Sequence, residues 1–128
     1  MTFESDEVRD TGGTAIEGVT YTYPINDPAN EEAYQQFAAE YKSRFGVAPN
    51  NPAAMAYDSA IILDQAFTKC GTENRQCLLD YIAALGKYQG MGGVLYITKN
   101  RLPIRPFGIK EYSGGEFRWV TKDLVADE

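Results

Sequence analysis

The chain has 128 residues, a length that fills one domain and can bury a sizeable core, and its composition, 44% apolar with nine Tyr and six Phe, is that of a globular protein. A net charge of −6 without a basic cluster argues against nucleic acid or an anionic membrane surface as partner. The absence of His removes the commonest general base and every Ser-His or Cys-His nucleophile pair, so no enzyme is expected.

Residues 4–12 are charged and end at Gly12-Gly13, a pattern for a short helix with the glycines as its stop, although Glu4, Asp6 and Glu7 favour a solvated face. Residues 19–23 (Val-Thr-Tyr-Thr-Tyr) alternate and have high β propensity, which predicts a strand ended by Pro24. Residues 24–30 carry turn chemistry throughout. From 31 to 45 the apolar positions Tyr34, Phe37, Ala38, Tyr41 and Phe45 form one helical stripe, read as core. Asn30 or Asp27 is available as its cap, and Gly46 as its left-handed stop.

A second helix is predicted over 52–69, with Pro52 at its first position. It is apolar around most of its circumference, which requires burial on most sides and makes it the expected packing centre. A third helix is predicted over 75–85, capped by Asn74, facing Leu78, Leu79, Ile82 and Leu85 inward and ending at Gly86. Residues 89–93 (Gln-Gly-Met-Gly-Gly) are read as irregular, a place where backbones cross and side chains do not fit. They form no phosphate loop, since no Lys-Ser/Thr follows. Strands are expected within 94–120: over 94–98, within 104–112 after the interruption at Pro106, and over 116–120 beyond a hairpin turn at Ser113-Gly114-Gly115.

Two cysteines, Cys70 and Cys77, stand too far apart for a redox CxxC pair. Either they are two unrelated buried thiols, or they form a disulfide joining the end of one helix to the start of the next, which would imply an oxidising compartment. With no His and no further Cys, no metal site and no cofactor are expected. The carboxylate pairs Glu31/Glu32 and Asp58/Asp64 lie at helix starts or on helix faces and read as capping or solvated groups. No apolar run is long enough to span a bilayer, and the N-terminus is not a signal peptide.

The order of these elements resembles the C-terminal portion of type I periplasmic binding proteins, the solute receptors of branched-chain amino-acid ABC transporters. The resemblance is carried by residues 17–24 (Glu-Gly-Val-Thr-Tyr-Thr-Tyr-Pro), 33–45 closing on Phe45-Gly46, and 52–58 (Pro-Ala-Ala-Met-Ala-Tyr-Asp). It continues through 88–97 (Tyr-Gln-Gly-Met-Gly-Gly-Val-Leu-Tyr-Ile) and 107–117 (Phe-Gly-Ile-Lys-Glu-Tyr-Ser-Gly-Gly-Glu-Phe). It implies an α/β fold, here a fragment of a two-lobed receptor: 1–128 as one segment with about three helices, an N-terminal strand and a C-terminal antiparallel hairpin region.

In such receptors a small polar solute binds between two lobes and is presented to a membrane permease, outside the cytoplasm. The resemblance therefore implies a periplasmic or extracellular location, lipid-anchored or free, with any signal upstream of Met1. It implies an amino-acid ligand of the branched-chain type. Pro52, Ala53 and Ala54 would line the side-chain end of the pocket, with Tyr57 and Tyr23 as further candidates. Tyr57, on an apolar helix, also reads as core. The groups that hold the ligand's carboxylate and amine would lie upstream of, or at, the start of this sequence. So would the sheet that helices 31–45 and 52–69 cover, which leads us to expect self-association through those helix faces in the isolated chain. A sensor module of the same fold and a stand-alone α/β interaction domain are the alternative readings.

Overall fold

The computed structural model describes residues 3–25 and 30–122. The first helix, α1 (Asp6–Gly12), starts where the Ser5 hydroxyl accepts the amide of Val8, and stops at Gly13, whose φ of 50° suits a residue without Cβ. A 3-10 turn over Gly13–Ile16 leads into β1 (Thr20–Pro24). Then follow α2 (Glu31–Phe45), α3 (Asn51–Cys70) and α4 (Arg75–Ala83). The remaining strands are β2 (Lys87–Gly90), β3 (Gly93–Ile97), β4 (Pro103–Ile104), β5 (Phe107–Ser113) and β6 (Glu116–Thr121). The fold is α/β, and the chain divides into two units, one of residues 1–25 and 106–128, the other of residues 26–105.

The first unit holds an antiparallel sheet in the order β1-β5-β6. Pairing runs from Thr20 opposite Glu111 to Pro24 opposite Phe107, and β5 turns back into β6 through Gly114 and Gly115, both at positive φ. Because side chains alternate across a strand, Tyr21, Tyr23, Lys110, Tyr112, Phe117 and Trp119 share one face. Phe3 lies on that face with its ring centre 4.6 Å from that of Tyr21. The Lys110 ammonium sits 4.4 Å from the centre of the Tyr23 ring and 5.1 Å from that of Trp119, and it pairs with the Glu4 carboxylate. A cation over two aromatic faces next to a carboxylate replaces the hydration that partial burial removes.

The second unit holds α2, α3, α4 and an antiparallel sheet in the order β2-β3-β4. Its buried side chains include Ala54, Asp58, Ile62 and Ala66, one residue per turn of α3, together with Val94 and Leu95 of β3. Helix α3 is therefore buried along one stripe only, and Tyr57, Leu63 and Phe67 are exposed. The predicted α2 stripe forms a ladder of rings: Tyr34–Phe37 at 6.1 Å, Phe37–Tyr41 at 5.9 Å and Tyr41–Phe45 at 4.5 Å between centres. Its far end is bare, with Phe45 63% exposed.

Three local expectations need correction. Residues 89–93 are not irregular: Lys87–Gly90 and Gly93–Ile97 pair around a two-residue turn at Met91-Gly92. The glycines still mark a backbone crossing, because a Cβ on Gly90 would fall on the Asp58 carboxylate and one on Gly92 would lie 2.8 Å from Met55 Cγ. Helix α4 stops at Ala83 rather than 85, where the Ala84 amide closes the last turn on Asp80 O. Asn30 precedes α2 but its side chain caps nothing there; it donates instead to Gly90 O, 2.9 Å away. Asp27, the other cap considered, lies outside the described residues.

Candidate functional site

The first turn of α3 forms because Asn50 is extended and its Oδ1 accepts the Ala53 amide at 3.0 Å, while Pro52 needs no donor of its own there. This places Pro52 on the surface, Ala53 half-buried and Ala54 buried at 2% exposure. Tyr57, one turn further, is 46% exposed and lies against Phe37 with ring centres 4.9 Å apart. It is neither a core residue nor a free one: one side packs on α2 and the rest is open. Four of the five sequence-identified residues thus share the N-terminal half of one helix. Tyr23 belongs to the other unit, half-buried beside Lys110.

Asp58 was read from the sequence as a solvated or capping group and is neither solvated nor a helix cap. At 2% exposure it points from α3 into the β2–β3 turn, where Oδ1 accepts the Met91 amide and Oδ2 the Gly92 amide, each at 2.7 Å. Such lengths are typical of hydrogen bonds to an ionised acceptor, and two of them replace the lost hydration of the carboxylate. The same turn is gripped from its carbonyl side by Asn30 at Gly90 and by Arg105, whose Nη1 donates to Gly92 O at 2.9 Å. Sequence reading missed this group, since Asp58 lies more than thirty positions from the turn amides it binds. The available signal was Asp58 alone on an apolar helix stripe together with glycines at 90 and 92. Tyr88 of β2 ionises above its ordinary range because burial disfavours the phenolate, and the charges of Asp58 and Tyr57 add to that. Its hydroxyl stays a neutral donor and acceptor at physiological pH.

At the opposite end of α3, Cys70 and Cys77 are joined in a disulfide with Cα atoms 5.6 Å apart. A shallow cavity of about 430 Å³ opens there, lined among others by Lys69, Asp80, Tyr81 and Leu85. At 1.5 Å rise per residue it lies roughly 25 Å along the helix from Pro52, so it is separate from the predicted ligand end. Among the described residues, no three His, Cys, Asp or Glu side chains gather as a metal site, and no helix is long and apolar enough to cross a membrane.

The chain superposes on several solved binding and ABC-transporter proteins. A leucine-binding protein of Thermotoga maritima superposes with a TM-score of 0.72 at 22% identity, covering 90% of this chain and 33% of that one. A Rhodospirillum rubrum protein ascribed to branched-chain amino-acid ABC transport gives 0.66 at 28% identity, covering 91% and 34%. A Rhodopseudomonas palustris ABC-transporter solute-binding protein solved with benzoate gives 0.65 at 22% identity, covering 97% and 35%. The chain thus spans about a third of the length of these proteins. No curated protein matches it. A profile of the periplasmic binding protein family matches residues 1–116, and the chain belongs to that family.

Proposed function

We propose that the chain is the C-terminal portion of an extracytoplasmic receptor that captures a small carboxylate-bearing solute, an amino acid of the branched-chain type, for uptake by an ABC permease. The observation that carries this reading is the family match over residues 1–116. The mechanism is non-enzymatic: solute binding stabilises a closed arrangement of two lobes, and affinity for that state alone drives the shift. Pro52, Ala53 and Tyr57 offer the solute an apolar wall ending in one phenol, while Ala54, being buried, supports that wall from behind. Tyr23 is the weaker candidate because its ring is engaged by Lys110. The Cys70–Cys77 disulfide supports an oxidising compartment, periplasmic or extracellular.

The neighbour solved with benzoate makes an aromatic acid the competing ligand chemistry. Calorimetric titration of the full-length receptor separates the two. Leucine, isoleucine or valine should bind with micromolar dissociation constants, and Tyr57→Ala should weaken binding about tenfold. Binding of benzoate but of no amino acid would replace the amino-acid reading.

A further inference from the structure

The chain passes between its two units twice, after Ile25 and after Arg105. In the first unit the two passes are tied together, since the Ile25 amide donates to Pro106 O at 3.2 Å and so extends the β1–β5 pairing beyond Pro24 and Phe107. In the second unit, Asn30 lies five positions beyond Ile25, and Arg105 immediately precedes Pro106. Their side chains bind the same turn, Asn30 at the Gly90 carbonyl and Arg105 at the Gly92 carbonyl, both at 2.9 Å. The Gly90–Met91 peptide is thus bonded at both ends, its carbonyl by Asn30 and its N–H by Asp58 Oδ1. Hydrogen bonds at the two ends of one peptide polarise each other and fix its plane. Neither Gly90 nor Gly92 leaves room for a side chain against Asp58, so this approach depends on both glycines.

We propose that Asp58 is a positioning residue for both chain passes. By holding the Met91 and Gly92 amides, it presents the Gly90 and Gly92 carbonyls at fixed points, and these anchor the chain where it enters and leaves residues 30–105.

The test uses nuclear magnetic resonance of the 128-residue chain without ligand. Proton exchange is followed at the Met91 and Gly92 amides and the Asn30 side-chain amide, together with rotation of the Arg105 guanidinium. In Asp58→Asn, exchange of the Asn30 side-chain amide and rotation of Arg105 should speed up about tenfold or more, along with exchange at the turn amides. Turn amides that lose protection while Asn30 and Arg105 keep their original rates would overturn the proposal, as would turn amides that keep theirs. If Asp58→Asn does not fold, Asn30→Ala carries the test in reverse. It should accelerate exchange at Met91 several-fold, because the two groups share one peptide, and an unchanged Met91 rate would overturn the proposal. No solute enters these measurements, so their failure leaves the receptor reading standing, and a receptor that binds no solute leaves this coupling measurable.

Discussion

Asp58 holds two backbone amides at a position 2% exposed, so its loss strands two donors in a place water does not reach. Asp58→Asn, which can accept only one of them, should lower unfolding free energy by about 2 kcal/mol in urea titration. Asp64→Ala, on the exposed side of the same helix, should stay within about 0.5 kcal/mol. The two residues look alike in sequence, one turn and a half apart on one helix, and only the partner thirty positions away distinguishes them. Tyr21 offers a second residue-scale test. Burial and the hydrogen bond it donates to Glu4 push its phenol above its ordinary value of 10.0. The neutral phenol's contribution is therefore complete below pH 10 and is lost as pH rises beyond it, since the unfolded chain ionises first. Urea midpoints measured from pH 8.5 to 11 should fall, and fall less steeply in Tyr21→Phe.

Helix α3 shows how far periodicity reads an element and where it stops. Its span was expected at 52–69 and is Asn51–Cys70, and α2 was expected at 31–45 and is Glu31–Phe45. Both are bounded by local chemistry, Asn50 with Pro52 at one start and Gly46 and Gly71 at the stops, so the neighbouring residues are enough to locate them. The β2–β3 turn was not legible, because its glycines answer to Asp58 on another element rather than to their own strand. The face of α3 that carries Tyr57, Leu63 and Phe67 is exposed beside the ring ladder of α2. We expect the isolated chain to self-associate through it. Light scattering at micromolar concentration should give a mass above 14.2 kDa, and Leu63→Lys with Phe67→Lys should restore the monomer; a monomer before substitution would contradict this. The disulfide closes a short loop between α3 and α4, and replacing both cysteines by serine should cost about 2 kcal/mol in urea titration.

At the scale of the molecule, the α/β fold and its family were legible from the order of short motifs spread over most of the chain, although each motif alone is unspecific. The residues that the resemblance implies for the site are placed by the fold as follows: Pro52, Ala53 and Tyr57 lie exposed or half-buried in the first turns of α3, Ala54 is buried there and Tyr23 lies in the other unit. A pocket whose walls come from distant segments leaves no periodic trace in any one of them. The receptor reading concerns a protein about three times this length, so its decisive measurement belongs there: a thermal-shift titration of the full-length receptor with amino acids and small aromatic acids. A millimolar solute bound with micromolar affinity stabilises by about 4 kcal/mol, which raises the melting temperature by roughly 5–10 °C. A shift of that size with leucine, isoleucine or valine is the expected result, and no shift with any amino acid or aromatic acid at millimolar concentration would contradict it.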